Sequence, residues 1–475
     1  MPSPRTCFLA SALALAACDD VPVDGVPCTR WETSTNVRVE RVDELDLLLV
    51  LGGSRERARA FMASLPQMLE SLSTGDLDGN GSLDVDGARS IHVGVITSDL
   101  GAGGHPVPGC VGGGDGGALR TEGDPGVPGC ASSYPPFQVV ERGGRPAADV
   151  AADLACVVPP GDRCTIDQPL ESVLRTLSPA SSAHAGFLRD GSTLAIVIVS
   201  DRDDCSVADP RLLDPDATEL GELALRCGLH PELLHPIDRY VTAISAVRRS
   251  PRRLVLVSVA GAPPGVLPSL AETPSYESIL AELEVRVDPD MPTRLEPACT
   301  DAIGPADPAR RLVTVARDLY AAGATSTVRS ICEPVDEAID RSERVIADWI
   351  GGPCFRESLS VATRIDRTEC TYTEVLPVGD RCADHPGRSL LRTTELAGGP
   401  EREECLLRRL TREQAIAGEA GVHVETADDP LPGSNLRELC GLDGTRVEVV
   451  GGVVIDSDIR EYCPESIGPD GGTCH

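Results

Sequence analysis

Residues Asp46 to Glu56 read D-L-L-L-V-L-G-G-S-R-E. An apolar run closed by a charged residue at one end and by Gly52-Gly53 at the other predicts a strand buried on both faces, as in a parallel sheet. A second such run, Leu194 to Ser200 (L-A-I-V-I-V-S), ends in Asp201-Arg202-Asp203-Asp204-Cys205-Ser206. Further strands are expected at Ile91 to Thr97, Arg253 to Ala260 and Ser326 to Ile331. Between them, Arg55 to Leu72 carries Ala58, Phe61, Met62, Leu65, Met68, Leu69 and Leu72 at helical spacing, and Gln168 to Leu177, Pro308 to Ala322 and Val335 to Ile350 also read as helices. A Cys-bearing helical excursion is expected from Pro210 to Arg248. Strands alternating with helices predict an α/β fold, a doubly wound, mostly parallel sheet with helices on both faces.

The net charge of −31 and the absence of Lys bound the function classes. A strongly acidic surface repels phosphate and anionic headgroups, so nucleic acid is not an expected partner. Without Lys there is no Walker-type phosphate loop and no Schiff-base chemistry. An all-arginine basic complement is also what a genome rich in G and C produces.

The first residues read as a targeting segment. Arg5 precedes a short apolar core from Phe8 to Ala17, and Leu15-Ala16-Ala17-Cys18 has the small-residue pattern of a signal peptidase site. The Cys in that position resembles a bacterial lipobox, which implies a signal peptide over 1–17, lipidation of Cys18 and a tether over 18–36. An ordinary secretory signal with a chance Cys is the alternative. The expected localisation is exported and lipid-anchored in the cell envelope, facing the periplasm or the cell surface, with membrane contact only through the N-terminal lipid.

The chain has 18 cysteines, and removing Cys7 and Cys18 leaves sixteen, an even count that reads as a disulfide framework. Metal–thiolate sites compete for that reading, but no C-x-x-C pair occurs. Nearness along the chain suggests Cys110 with Cys130, Cys156 with Cys164, Cys205 with Cys227, and Cys299 with Cys332. Cys28, ahead of the first strand, is paired with Cys354, after the last helix, because the termini of a domain lie close together. From 101 to 161 the chain is Gly/Pro-rich and bears Cys110, Cys130 and Cys156, with little periodicity except near Phe137 to Val140. Residues 355–475 carry six cysteines, from Cys370 to Cys474, and short alternations such as Val447 to Ile455, so they are expected to form a small, disulfide-rich, mainly β module.

The segments D-L-L-L-V-L-G-G-S-R-E, G-V-I-T-S-D-L-G, S-D-R-D-D-C-S and R-S-I-C together resemble the von Willebrand factor type A domain, in the form found in lipoproteins of the myxobacterial type. The resemblance covers 37–354. It implies a divalent cation held by D-x-S-x-S after the first strand, by a Thr and by a later Asp. Ser54 and Asp201 match, whereas Gly52 replaces the Asp and Glu56 the second Ser. Thr165 is expected to open the helix after the Gly-rich excursion at the position of the family's Thr, and Asp99 follows another strand end. Glu56, reaching back, with Asp99, Asp203 or Asp204, is the available compensation. Because one anchor is lost, the degenerate site is not expected to hold Mg²⁺. Otherwise Ser54 caps the following helix and Asp201 satisfies loop amides.

A better preserved cation motif lies at Asp76-Leu77-Asp78-Gly79-Asn80-Gly81-Ser82-Leu83-Asp84. Asp76, Asp78, Asn80 and Asp84 take positions 1, 3, 5 and 9 of a calcium loop, Gly81 the sixth, and Ser82 supplies a backbone carbonyl at the seventh. Leu83 is expected to point inward. Gly87 stands at position 12 in place of a bidentate Glu, with Asp86 beside it as a substitute. Ca²⁺ is the cofactor expected here, and an Asp/Asn/Gly-rich turn is the other reading.

No G-x-S-x-G or H-E-x-x-H occurs. The function expected is that of a non-catalytic protein-binding or adhesion module whose partner is an envelope or extracellular protein. The alternatives are a structural envelope protein with no dedicated ligand, a component of a secreted-substrate processing system, and a metal-dependent hydrolase using the acidic cluster at Asp201.

Overall fold

The computed structural model describes residues 35–36, 43–159, 164–178, 185–248, 251–264, 275–347, 350, 370–395, 400–426, 428–431, 445–452, 454 and 457–462. The expected signal segment, Cys18, Cys28 and Cys354 lie outside them.

In chain order, a two-residue strand β1 (Thr35–Asn36) precedes β2 (Glu44–Leu51), α1 (Arg55–Thr74), β3 (Ser90–Thr97), β4 (Phe137–Glu141), α2 (Ala147–Cys156), α3 (Pro169–Thr176) and β5 (Thr193–Ser200). Then come α4 (Arg226–Leu229), α5 (Ile237–Ser245), β6 (Leu254–Ala260), α6 (Tyr276–Glu282), the small strands β7 (Cys299–Thr300) and β8 (Pro305–Ala306), α7 (Arg310–Ala321), β9 (Thr325–Ser330) and α8 (Val335–Ala347). The six-stranded sheet has the order β4-β3-β2-β5-β6-β9. All its pairings are parallel except β3 with β4 at one edge.

Alternation along each strand feeds two cores. Leu45, Leu47, Leu49 and Leu51 pack with Phe61, Met62, Leu65 and Leu69 of α1, Val150 and Leu154 of α2, and Ile339 and Ile346 of α8. Leu48 and Val50 face the other way, with Val173 of α3, Tyr240 of α5, Ile279 of α6 and Val313 of α7. Helices therefore cover both faces, which is why the strands read as unbroken apolar runs. Asp46 is the exception inside the run. It is part of β2 rather than its boundary and is fully buried. Arg189, Ser192 and Arg248 hold its carboxylate, with Arg189 Nε at 2.8 Å and Arg248 Nη2 at 2.9 Å.

The segment 101–161 is more ordered than its composition suggests. It contains β4, which extends the sheet, and α2, whose Val150, Ala151 and Leu154 reach the first core. Its disulfides correct the nearest-neighbour pairing: Cys110 joins Cys164 and Cys130 joins Cys156. The bridges are nested because the chain leaves the sheet, builds a strand and a helix, and returns. Cys205–Cys227 and Cys299–Cys332 form as expected, and Cys382 pairs with Cys405. Ala102, Val107, Cys164, Ile166, Cys205, Leu212, Leu213 and Leu234 gather into a separate small core that unites the excursions after β3 and β5.

The C-terminal part is mainly β. Strands β10 (Thr371–Val375), β11 (Arg388–Glu395), β12 (Glu401–Leu407) and β15 (Asp458–Tyr462) form an antiparallel sheet with β1, in the order β1-β15-β10-β12-β11. Thr35 and Asn36, expected to end a tether, thus belong to this sheet. The hairpin of β13 (Gly421–Thr426) and β14 (Thr445–Val450), preceded by the short helix α9 (Arg412–Ile416), packs Val422, Val424, Val447 and Val449 against Tyr372, Leu407 and Ile459. No helix among the described residues is long and apolar enough to cross a membrane.

Candidate functional site

The chain passes from β2 to β3 on one side of the sheet and later to β5 on the other. The loops after β2 and β5 therefore diverge from one crevice at the carboxyl ends of the strands, the place where open α/β sheets bind ligands. Gly53 holds a φ of 64°, and a Cβ there would meet Asp201 Oδ1 at 2.0 Å, so only glycine brings the backbone this close. Asp201 Oδ1 accepts the amide of Ser54 at 3.1 Å. The amide of Gly53 donates to Asp167 Oδ1 at 3.0 Å, and Ser98 Oγ donates to the same oxygen.

Two guanidinium groups stand among these carboxylates. Arg57, from the first turn of α1, is 3 % exposed and donates to both oxygens of Asp301 and to the carbonyls of Ile331 and Gly304, with its Nε 3.9 Å from Asp201 Oδ2. Arg202 Nη1 lies 3.5 Å from Asp167 Oδ2. Asp307 completes the group: its amide donates to the Asp201 carbonyl. Burial, with the charges of Asp201 and Asp167 beside it, pushes its carboxyl up to about 6 despite the opposing pull of Arg202. Burial likewise raises Asp167.

Of the residues expected at this site, the structure brings together Ser54 and Asp201 only. Ser54 is at the helix N-cap position but makes no side-chain cap bond, and its Oγ is buried without a hydrogen-bond partner. Asp201 does satisfy a loop amide. Thr165 does not open the helix, which begins at Pro169; it is exposed, and its carbonyl accepts from Arg202. The carboxylate of Asp167 stands nearby instead. Glu56 is exposed on α1 and does not reach back. Asp99 turns its Oδ1 to the amide of Gly101, organising the Gly-rich segment.

Asp203 and Asp204 staple helix starts. Asp203 accepts the amides of Arg311 and Leu312 at the beginning of α7, and burial pushes it up to about 7. Asp204 accepts the amide of Leu170 in α3 and the Arg311 guanidinium. Gly52 is closed by its neighbours, since a Cβ there would lie 3.0 Å from Ser200 Cβ and Oγ and 3.1 Å from Ser98 Oγ.

Sequence reading missed Asp167, Asp307 and Arg57. Both aspartates shortly precede a proline, I-D-Q-P with Pro169 opening α3 and A-D-P with Pro308 just ahead of α7, and this was the available signal.

The loop after α1 is built differently. Gly75 ends the helix in the left-handed region (φ 88°), and a Cβ there would meet the Val85 carbonyl at 2.1 Å. Asp84 and Val85 donate back to the Gly75 carbonyl, closing the loop. Asp76 accepts the amides of Asn80 and Gly81, and Asn80 Oδ1 accepts that of Ser82. Asp76, Asp78 and Asp84 bring one carboxylate oxygen each within 4.8 Å of one another. They are the one group of three acidic, His or Cys side chains so arranged among the described residues. Their neighbours depart from expectation. Leu77, 4 % exposed, is the buried apolar anchor, while Leu83 is half-buried. Asp86, expected as a substitute ligand, is outside this group: it is buried and faces Arg446 Nη2 of β14 at 3.5 Å.

No family model matches the chain, and no curated protein matches it at a significant level.

Proposed function

We propose that the chain is an exported, lipid-anchored cell-envelope protein in which a von Willebrand type A-like domain serves as a non-catalytic protein-binding or adhesion module. The observation that carries this reading is what surrounds the strand-end crevice. One oxygen each of Asp167 and Asp201 accepts a backbone amide, Arg202 stands 3.5 Å from the other oxygen of Asp167, and the excursions beside the crevice are tied together by Cys110–Cys164, Cys205–Cys227 and their own small core. Binding then belongs to the surface these excursions present, where Val111 is 81 % exposed. The Asp76 loop is the proposed Ca²⁺ site, with Asp76, Asp78 and Asp84 as carboxylate ligands, Asn80 as an amide ligand and the Ser82 carbonyl as a further oxygen; its chemistry is structural, an oxygen-ligated cation fixing a turn.

Affinity capture from envelope extracts tests the reading. The full chain should recover a stoichiometric protein partner that is lost with Val111→Glu and kept with Ile416→Glu, a control on the C-terminal module where Ile416 is 49 % exposed. No stoichiometric partner, or equal recovery with both variants, overturns it. Cys18→Ser should release the protein from the membrane fraction, and an unchanged fraction rejects the anchor.

A further inference from the structure

Helix α8 has the sequence V-D-E-A-I-D-R-S-E-R-V-I-A. Its buried face is Ala338, Ile339, Ser342, Glu343, Ile346 and Ala347, so one position of an otherwise apolar and small stripe is a carboxylic acid. Glu343 has no exposed surface, and neither of its oxygens has a hydrogen-bond partner.

Among the described residues, the elements packed on α8 are α1, β6 and β9, and none of them offers Glu343 a counter-charge. On α1, Arg55 and Arg59 are paired with Asp124 and Arg57 with Asp301, while Glu56 and Glu70 are exposed. β6 has no charged residue, and Arg329 of β9 is paired with Glu333. The charges that act on Glu343 are Asp340 and Arg344 of its own helix, which are bonded to each other.

A buried carboxylate with no partner pays the full cost of desolvation, whereas the neutral acid loses only its hydrogen bonds to water. Burial and, secondarily, Asp340 push the group up to about 8, against the pull of Arg344. A leucine would fill the same space without that cost.

We propose that Glu343 is a pH-responsive latch, seating α8 on the core while it carries its proton and loosening the helix when it ionises. The direction follows from linkage. The folded form holds the proton more tightly than the unfolded chain, so this stabilisation is fully present below the unfolded value near 4.5 and is lost as pH rises through about 8. The N-terminal side of α8 is held by the Cys299–Cys332 bridge, so the loosening falls on its second half.

Hydrogen exchange of the full chain between pH 5.5 and 8.5, corrected for intrinsic rates, tests this, with α5 on the opposite face as reference. The opening equilibrium of α8 should rise severalfold per pH unit, up to a ceiling of about tenfold for one proton. Glu343→Gln should flatten that slope, and Glu343→Leu should slow α8 exchange at the upper end of the range. A wild-type α8 indifferent to pH, an equal slope in α5, or a slope that survives in Glu343→Gln or Glu343→Leu overturns the proposal.

Discussion

The two acidic regions of the α/β unit have solved the same electrostatic problem in opposite ways. Carboxylates of both accept backbone amides, but at the strand ends Asp167, Asp201 and Asp301 also lie beside Arg57 and Arg202. In the loop after α1, Asp76, Asp78 and Asp84 converge at the surface with no ion pair among the described residues. The charge of Asp84 is felt by the Arg344 guanidinium, which is already bonded to Asp340. The first region carries its own cations inside the fold, and the second leaves its charge to whatever the surroundings supply. Resemblance to a metal-binding family therefore points to the crevice, while the geometry of convergent oxygens points elsewhere.

The sharpest way to break this contrast is to remove an internal cation. Arg57→Met takes the guanidinium from Asp301, which keeps only the amides of Ile303 and Gly304, and from the Ile331 and Gly304 carbonyls, and should cost about 3 kcal/mol in urea unfolding. A loss under ~1 kcal/mol would show that the crevice does not depend on that guanidinium.

The second test supplies an external cation. Ca²⁺ at about 10 mM should stabilise the chain by about 2 kcal/mol in thermal unfolding if the loop binds with the weak affinity of extracellular calcium sites. Asp78→Ala should abolish the response and Asp201→Asn should leave it intact. Indifference to Ca²⁺, or equal sensitivity to both variants, sinks the assignment of the loop.

The smallest effect concerns Gly52. Rebuilding the missing carboxylate with Gly52→Asp forces a Cβ against Ser200 and Ser98, and should cost about 1 kcal/mol while conferring no Mg²⁺ response. A variant of wild-type stability that gains such a response would mean the crevice is an intact site lacking one ligand.

The sheet was legible because its strands are buried on both faces, so Leu47–Leu51 and Leu194–Val199 declare themselves without reference to partners. Its charged interior was not. Asp46 reads as a boundary until Arg189 and Arg248 arrive from far along the chain. Helix α2 carried its signal in Val150, Ala151 and Leu154, but small residues in a Gly/Pro-rich segment gave it little contrast. Cysteine spacing succeeded for Cys205–Cys227, where the excursion is short, and failed for Cys110 and Cys130, where a strand and a helix intervene and nesting replaces nearness. In the calcium-type loop, the positions of Asp76, Asp78 and Asp84 could be read from spacing because a tight turn fixes them locally. The role of Asp86 could not, since Arg446 is supplied by the C-terminal hairpin.

The pairing of β1 with β15 has a mechanical consequence. On the proposed anchor at Cys18, the tether spans roughly 60 Å at full extension before it reaches Thr35. A pull transmitted from the membrane therefore meets the C-terminal sheet before the α/β unit. Among the described residues it arrives at a junction of two residue pairs, Thr35 with Glu461 and Asn36 with Arg460. So short a pairing would peel away first, lengthening the leash, and only then would the load pass along the chain to β2 and the six-stranded sheet.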